Sequence, residues 1–210
     1  AELGAGAAVS WIGCDTASGA DVEKLHATIA QRHGRLDYAF NNGGSGARFA
    51  PVASATEAAW RQVMDGYLTS VFLCMRRQIP LMLRGGGGVI VNNASVDGLR
   101  GYPFPGGAAY SAAKHGVLGL TKSAALEQAA TGPRITAVCP GWVDTPPVAR
   151  YMRDPKTAAG ILQQTPRGRI AAPREIADGV LWLCSDAASF MVGVPLVLNA
   201  PIAPAPLAPP

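Results

Sequence analysis

Short apolar runs alternate along the chain with segments of helical periodicity, and this alternation restricts the fold more than any other feature. The hydrophobic pattern predicts five strands, at 7–13, 36–40, 89–91, 135–139 and 195–198. A helical segment separates each strand from the next, which favours parallel pairing with helices on both faces of the sheet. We therefore predict an α/β fold built on a doubly wound parallel sheet.

Capping signals place helices between these strands. Two segments have the spacing of a capping box, in which side chains satisfy free N–H groups at a helix start, namely Ser18-x-x-Asp21 and Ser54-x-x-Glu57. Apolar residues at helical spacing predict two long helices, 55–83 and 109–130. Pro173 suits the first position of a later helix, because proline lacks the N–H that would be unsatisfied there.

Length and composition predict one domain. The chain has 210 residues, of which 49% are hydrophobic and 15% charged, so it can bury a substantial core. We expect a single domain over residues 1–200. Five prolines between 201 and 210 predict a disordered or polyproline-like tail, because proline cannot donate to a sheet ladder.

Charge and hydropathy argue against two classes of partner. The net charge is +4, but the basic residues are scattered and their densest spots are pairs such as Arg76-Arg77. A nucleic-acid partner, which requires a continuous basic surface, is therefore not expected. No apolar run is long enough to span a bilayer, so we expect no membrane association.

The cysteines and histidines indicate no metal or disulfide site. The four cysteines lie far apart, and the three histidines have no ligand-like spacing. Isolated cysteines of this kind are typical of buried, reduced thiols. No secretory signal or lipidation motif is visible either. We therefore expect a cytoplasmic protein without a bound metal ion.

The pair Tyr110 and Lys114 carries the strongest chemical signal. Residues four apart share one face of a helix, so the ammonium can lie beside the phenol. A nearby positive charge lowers the pKa of a tyrosine and makes it a plausible acid or base. Ser95 follows the predicted third strand and could donate a hydrogen bond to a substrate oxygen. Taken alone, the four-residue spacing of Tyr110 and Lys114 also fits an ordinary pair on a helix surface.

Polar residues follow several predicted strands. Asn41, Ser95 and Pro140-Gly141 all fall at or just after a strand end. In parallel sheets, ligands bind beyond the carboxyl ends of the strands. We therefore expect these residues to converge on one edge of the sheet and to form a single site there.

Six ordered elements carry a resemblance that extends over most of the chain. They are Cys14-Asp15, Asn41-Asn42-Gly43-Gly44, Val91-Asn92-Asn93-Ala94-Ser95, Tyr110-Ser111-Ala112-Ala113-Lys114, Pro140-Gly141-x-x-x-Thr145, and Pro173-Arg174-Glu175-Ile176-Ala177 with Leu183-Cys184-Ser185-Asp186. Together they resemble the short-chain dehydrogenase/reductase family. The resemblance implies a Rossmann-like fold, an oxidoreductase that interconverts an alcohol and a ketone with NAD or NADP, and a homo-oligomer, either a dimer or a tetramer.

The resemblance also implies three catalytic roles. Tyr110 would be the general acid and base, and Ser95 would polarise the substrate carbonyl. Lys114 would lower the pKa of the tyrosine and hold the nicotinamide ribose. Tyr110 and Lys114 would thus also bind the cofactor, which itself carries the hydride.

Five further residues would contact the cofactor by the same resemblance. Asp15 and Thr16 would flank the adenine, and Asn41 would lie near a ribose. Val143 and Thr145 would lie near the carboxamide and the phosphates. Asp15 and Thr145 could equally cap turns, and Val143 could simply pack.

The chain departs from the family in its N-terminal part. The family's first two strands and its phosphate-binding turn, Thr-Gly-x-x-x-Gly-x-Gly, are missing, so the chain resembles an N-terminally truncated member. We expect weak or no dinucleotide binding by the chain alone. Two outcomes are open for the sheet. The strand at 7–13 pairs directly with the strand at 36–40, or an apolar edge stays open and favours association.

Other positions leave the activity and the substrate open. Tyr67 stands where the family usually has a catalytic asparagine. Trp142, Tyr151 and Met152 fit either an apolar lid over a small alcohol or carbonyl, or an ordinary packed loop.

A non-enzymatic interpretation therefore remains beside the enzymatic one. In it, a catalytically impaired family member acts as an oligomerisation partner or scaffold, and the two long helices dock against another copy. The apolar residues Val117, Leu118 and Leu120 fit such a surface and a plain core equally well.

Overall fold

The computed structural model describes residues 8–44, 50–165 and 167–198. Within these ranges the chain forms four strands and seven α-helices. In chain order they are α1 (Gly19–His33), β1 (Tyr38–Asn41), α2 (Glu57–Met64), α3 (Ser70–Arg84), β2 (Val89–Asn93), α4 (Ala108–Gln128), β3 (Arg134–Pro140), α5 (Pro146–Tyr151), α6 (Pro155–Gln163), α7 (Pro173–Cys184) and β4 (Pro195–Leu198). A π-helical turn, Asp65–Thr69, joins α2 to α3.

The four strands form one parallel sheet in the order β1-β2-β3-β4. Phe40 is paired with Val91, and Cys139 with Val197. The predicted α/β fold with a parallel sheet is therefore confirmed. All four carboxyl ends lie at one edge of the sheet, because the strands run in the same direction.

The two faces of the sheet bury separate apolar clusters. On one face, Ile90 and Ile135 pack with Val117 of α4 and with residues of α3. On the other face, strand residues pack with Val180 and Leu183 of α7. Neighbouring strand residues point to opposite faces, so β2 needs apolar side chains at successive positions. This explains why the buried strands read as continuous apolar runs.

The structure confirms that Ser18 begins α1, but the predicted capping box with Asp21 does not form. Ser18 caps the helix, its hydroxyl accepting a hydrogen bond from the Asp21 amide at 3.3 Å. The Asp21 carboxylate accepts from the Asp15 amide at 3.1 Å instead of completing a capping box. Gly34 ends the helix with φ +71°, a left-handed conformation that glycine adopts at little cost.

The predicted capping role of Ser54 is wrong. Ser54 lies in a short 3₁₀ turn, and its hydroxyl donates to the Pro51 carbonyl at 3.2 Å. Thr56 caps α2 instead and accepts from the Ala59 amide at 3.1 Å. Both Ser54 and Thr56 are good capping residues, so the local pattern did not separate them.

The predicted first strand is also wrong. Residues 8–13 form no strand, and no ladder joins them to β1, so the direct pairing is excluded; Ala7 lies outside the described residues. The Trp11 side chain is 88% exposed. A strand in a parallel sheet needs a hydrogen-bonding neighbour and cover on its faces, and this segment has neither. Among the described residues β1 therefore has an open edge, the second of the two expected outcomes.

The segment 142–172 is more ordered than its mixed sequence indicates. It contains the short helices α5 and α6, each of which begins with a proline. Pro173 likewise begins α7, as predicted, and Glu175 accepts a hydrogen bond from the Ala172 amide. This segment folds over the carboxyl ends of the strands and walls the site there.

The remaining expectations concern absences and the tail. No helix within the described ranges is long and apolar enough to cross a membrane. Among those residues, no group of three metal-ligating side chains lies close together. All four cysteines carry free thiols. The predicted proline-rich tail, 201–210, lies outside the described residues.

Candidate active site

Two cavities meet at the carboxyl ends of the strands, and Ser95 and Tyr110 line both of them. The first, of about 410 Å³, is bordered by the ends of β1, β2 and β3 and by the start of α7. The second, of about 590 Å³, opens toward α5. The sheet topology thus produces the convergence that the strand-end residues predicted.

Ser95 lies directly after β2 and is 6% exposed. Its hydroxyl accepts a hydrogen bond from the Asp97 amide at 3.1 Å, which caps the 3₁₀ turn Val96–Gly98. It also shares a hydrogen bond with the Tyr110 phenol, which stands on the first turn of α4. The two hydroxyl groups therefore lie together at the boundary between the two cavities.

Lys114 lies one turn further along α4 and is buried, with 4% of its surface exposed. Its ammonium donates to the Asn93 carbonyl at 2.6 Å. It also lies 5.2 Å from the ring centre of Tyr67 and 5.6 Å from that of Tyr110. Burial lowers the pKa of Lys114 to about 8, because the charged form loses its hydration. The helix spacing thus brings Lys114 beside the tyrosine, as predicted.

The expected direction of the tyrosine pKa is wrong for this structure. Burial raises the pKa of Tyr110 above its ordinary value, and the hydrogen bond from Ser95 opposes that rise only partly. The Lys114 ammonium is directed at the Asn93 carbonyl rather than at the phenol oxygen. The sequence showed the lysine's proximity, but it could not show the cost of burying a phenolate.

Asp97 is a site residue that the sequence reasoning missed. It lines the larger cavity, is 8% exposed and forms an ion pair with Arg100, with 3.5 Å between Oδ1 and Nε. Its negative charge also raises the pKa of Tyr110. The signal in the sequence was an acidic residue two positions after Ser95, within a loop otherwise rich in glycine.

Aromatic side chains form much of the wall of the larger cavity. The rings of Tyr67 and Tyr102 pack edge-on against Tyr110, with centroids 5.1 and 6.0 Å away. Trp142 and Tyr151 line the same cavity, whereas Met152 does not. Two of the three residues suggested for an apolar lid therefore face the space beside Ser95 and Tyr110.

The smaller cavity has features that fit the nicotinamide end of a dinucleotide. Val143 and Thr145 both line it, together with Ser95 and Tyr110. Asn93 borders it too, and Oδ1 of Asn93 is a buried oxygen without a hydrogen-bond partner among the described residues. A buried acceptor of this kind is usually satisfied by water or a ligand. The expected positions of Val143 and Thr145 agree with this cavity.

The structure keeps the other expected cofactor residues apart from this cavity. Thr16 lines a separate cavity of about 260 Å³ beside the open edge of β1. The Asp15 carboxylate caps a local turn by accepting from the Ala17 amide at 3.0 Å. This is the turn-capping alternative that the sequence left open.

Asn41 borders the cavity of Thr16, but its amide points into the protein. The amide is 9% exposed and hydrogen-bonds Gln78 in both directions, at 3.0 and 2.7 Å. It also donates to Asn92 at 2.8 Å, and Asn92 in turn donates to Thr121 at 2.9 Å. The amide thus stabilises the contact of β1 with β2, α3 and α4, and its polar atoms are bonded to protein groups.

Comparison with known proteins identifies the family. A family model described as enoyl-(acyl carrier protein) reductase matches residues 1–200. The chain is 40% identical over 195 residues to a cis-4-hydroxycyclohexanecarboxylate dehydrogenase of Sinomonas cyclohexanicum, covering 93% of this chain and 77% of that protein. It is also 40% identical over 185 residues to a cyclohexanol dehydrogenase of Acinetobacter sp., covering 88% of this chain and 71% of that protein.

A solved structure shows the same fold. The crystal structure of levodione reductase superposes with a TM-score of 0.83 at 36% sequence identity, covering 89% of this chain and 74% of that chain. The chain therefore spans about three quarters of the length of the relatives that it matches. These matches, and the parallel sheet with a site at its carboxyl ends, show that the chain belongs to the short-chain dehydrogenase/reductase family and is an oxidoreductase.

Proposed function

We propose that this chain interconverts a small cyclic alcohol and its ketone, with Ser95, Tyr110 and Lys114 as the catalytic group. One observation carries the proposal: the hydrogen-bonded Ser95 and Tyr110 hydroxyls stand where the two cavities meet, with the Lys114 ammonium behind them. Similar proteins are named as dehydrogenases of cyclohexanol and of a hydroxycyclohexanecarboxylate.

Proton transfer falls to Tyr110. Because burial raises its pKa, the phenol is protonated at neutral pH and can donate its proton to a carbonyl oxygen. A protonated phenol favours carbonyl reduction near neutral pH. Alcohol oxidation is favoured at higher pH, because the phenol oxygen must then accept the proton. Ser95 would donate a hydrogen bond to the same substrate oxygen and stabilise the charge that develops on it.

The residues that would hold the cofactor surround the smaller cavity. A bound nicotinamide dinucleotide supplies the hydride chemistry. Val143, Thr145 and the unpartnered Oδ1 of Asn93 would face its nicotinamide end, with Tyr110 and Lys114 beside the ribose. Thr16 would serve the adenine end, because its cavity lies beside β1, the strand next to β2.

The larger cavity favours an apolar ring as substrate. Its volume of about 590 Å³ suits a small molecule, and Tyr67, Tyr102, Trp142 and Tyr151 supply apolar surface. A saturated or partly saturated ring gains dispersion contacts with such a wall. The substrate hydroxyl or carbonyl would then point toward Ser95, which borders both cavities.

A binding and turnover experiment tests this function. The chain is titrated with NADH and with NADPH while nicotinamide fluorescence is followed, and is then assayed with the oxidised cofactor and cyclohexanol. We expect Ser95→Ala to lower the rate about 10²–10³-fold, because it removes a donor to the developing charge. Ser54→Ala, an exposed serine that lines neither cavity, is the matched control. No binding at millimolar cofactor would reject the function and favour the scaffold interpretation.

We also propose that the chain associates with itself. The stripe of Val117 and Leu118 is buried in the chain's own core and offers no docking surface. Large apolar side chains are exposed elsewhere, among them Phe190 at 99%, Leu181 at 64% and Trp182 at 41%. Exposed apolar groups of this size are typical of protein interfaces. Sedimentation should show an oligomer that Phe190→Ser weakens, and a wild-type monomer at micromolar concentration would refute it.

The free thiols are informative about the cellular location of the protein. All four cysteines are unpaired, which is usual for proteins of a reducing environment. We propose the cytoplasm as the location, and cell fractionation with an antibody to the chain would test it.

A further inference from the structure

Tyr67 lies at an unusual point of the backbone beside the active site. It belongs to the π-helical turn Asp65–Thr69, between α2 and α3. Such turns insert one extra residue into a helix and are frequent at functional sites. The turn directs the Tyr67 ring into the wall of the larger cavity, where it meets Tyr110 edge-on.

The ring of Tyr67 also faces the buried cation. Its centroid lies 5.2 Å from the Lys114 ammonium, within the range of a cation–π contact. The negative face of an aromatic ring attracts a cation, and the attraction is larger where water is excluded. Lys114 is 4% exposed, so this contact is made with little competing hydration.

Four elements present groups to the Lys114 ammonium, one each. They are the Asn93 carbonyl from β2, the Cys139 thiol from β3, the Tyr110 ring from α4 itself and the Tyr67 ring from the π-helical turn. No carboxylate is paired with Lys114 among the described residues. The charge therefore depends on one carbonyl and on the faces of two rings.

We propose that Tyr67 is a positioning residue that holds the Lys114 ammonium in the active site through its ring face. The proposal rests on the assignment of Lys114 to the catalytic group. Tyr67 then lines the proposed substrate cavity and, in addition, acts on the catalytic group through Lys114. For this second role the aromatic ring, not the hydroxyl, is the required part.

Gly44 supports this placement. A Cβ built on Gly44 would overlap the edge of the Tyr67 ring, so only glycine leaves room for the ring at its present position. The end of β1 and the π-helical turn thus fit together around Tyr67. A side chain at Gly44 would push the ring away from Lys114.

The sign of a pKa change separates a positioning role from simple packing. If the ring attracts the cation, removing it disfavours the charged form and lowers the pKa of Lys114 below about 8. If the ring only fills space, removing it admits water, restores hydration and raises that pKa. The two roles predict opposite directions for the same variant.

The experiment is an NMR titration of the lysine Cε signals. The chain has four lysines, so selective ¹³C labelling gives a simple spectrum, and Lys114→Met identifies the signal of Lys114. For Tyr67→Leu we expect the pKa of Lys114 to fall by about half to one pH unit. For Tyr67→Phe, which keeps the ring and loses the hydroxyl, we expect no change.

Matched variants and a second readout complete the test. Tyr151→Leu removes another tyrosine from the same cavity and should leave the Lys114 pKa unchanged. Tyr67→Met replaces Tyr67→Leu if the latter does not fold. A Lys114 pKa that rises or stays constant without the ring would overturn the proposal.

The titration needs no turnover, so it remains decisive even if the chain proves inactive. In an active chain, the pH at which the rate changes should move with the Lys114 pKa in Tyr67→Leu and not in Tyr67→Phe. An inactive chain with the expected titration would reject the proposed function and retain the contact.

Discussion

Two regions at the carboxyl ends of the strands, one around β2 and α4 and one beside β1, differ in burial and in strand pairing. Around β2 and α4, Ser95 and Lys114 are buried, Tyr110 is partly buried, and the three are joined to one another or to the strand end. Among the described residues β1 has a strand on one side only, and the preceding residues 8–13 form no strand. The proposed catalytic group thus lies beside a strand with neighbours on both sides, an arrangement that holds the following loop more rigidly.

One buried hydrogen-bond network connects the two regions. Asn41 on β1 bonds to Gln78 on α3 and to Asn92 on β2, which bonds to Thr121 on α4. Buried amides fix a single arrangement, because any other leaves polar groups unsatisfied. The network therefore holds the exposed strand in register with the strand that carries the site.

The largest expected effect is a loss of turnover, which should follow from a change on α4 and not from one on β1. Tyr110→Phe should lower the rate of turnover about 10²–10⁴-fold, equivalent to about 3–5 kcal/mol, because the proton-transfer group is lost. Tyr38→Phe, on β1 and 61% exposed, lines neither of the cavities that meet at Ser95 and should change the rate far less. Steady-state kinetics with a cyclic alcohol measure both, and equal effects would contradict the comparison.

The next effect tests the connection between the regions. Asn92→Ala should lower the free energy of unfolding by about 2–3 kcal/mol, because it leaves the amide of Asn41 short of a partner and creates a small cavity. Asn42→Ala, an exposed amide directly after β1, should cost less than about 1 kcal/mol. Urea unfolding gives both values, and a similar cost for the two would show that the network does not stabilise the sheet.

A smaller effect follows from the buried lysine. Lys114 has a folded pKa of about 8 against an ordinary value of 10.5, so between these values the unfolded chain binds more protons than the folded one. The contribution of Lys114 to stability should therefore rise with pH, by about 1 kcal/mol from pH 8 to 9. Lys114→Met should lack this rise, as measured by urea unfolding at each pH.

Two buried thiols limit the pH range in which the effect of Lys114 is measured. Burial raises the pKa of Cys74 and of Cys139 from 9.0 to about 11, so these thiols contribute stability that is lost as the pH rises above 9. The unfolded chain already loses part of these thiol protons between pH 8 and 9, so the contribution of Lys114 is measured as the difference between the wild type and Lys114→Met. A parallel pH dependence in the wild type and in Lys114→Met would contradict the burial of the charge.

The smallest effect concerns the segment before α1. Trp11→Ala should change the free energy of unfolding by less than about 0.5 kcal/mol, because the side chain is 88% exposed. Leu183→Ala, fully buried against β2 and β3, should cost about 2–5 kcal/mol. A cost above about 1 kcal/mol for Trp11→Ala would mean that residues 8–13 pack against the sheet after all.

The sequence predicted the four strands of the sheet well and failed at the segment before α1. The run at 195–198 matches β4, and the runs at 89–91 and 135–139 lie inside β2 and β3. Such strands are apolar on both faces, so their local pattern is sufficient. The run at 7–13 has the same local pattern, but a strand forms only where a neighbour offers hydrogen bonds.

The positions of the proposed catalytic residues were predictable for a similar reason. The spacing of Tyr110 and Lys114 on one helix face and the place of Ser95 after a strand are local properties of the chain. The direction of the Asn41 amide was not predictable from the sequence, because side chains point alternately to the two faces of a strand. On β1 the exposed Phe40 reaches the cavities, whereas Asn41 turns into the protein.

The sequence by itself determined the parallel α/β fold, the helix that carries Tyr110 and Lys114, and the common edge at which Ser95 lies, since periodicity and spacing are local. Only the tertiary structure decided that β1 has an open edge and that the pKa of Tyr110 is raised. It alone also placed the Tyr67 ring over the Lys114 ammonium. Burial, hydration and ring contacts depend on which distant residues meet, and that information is complete only in the folded chain.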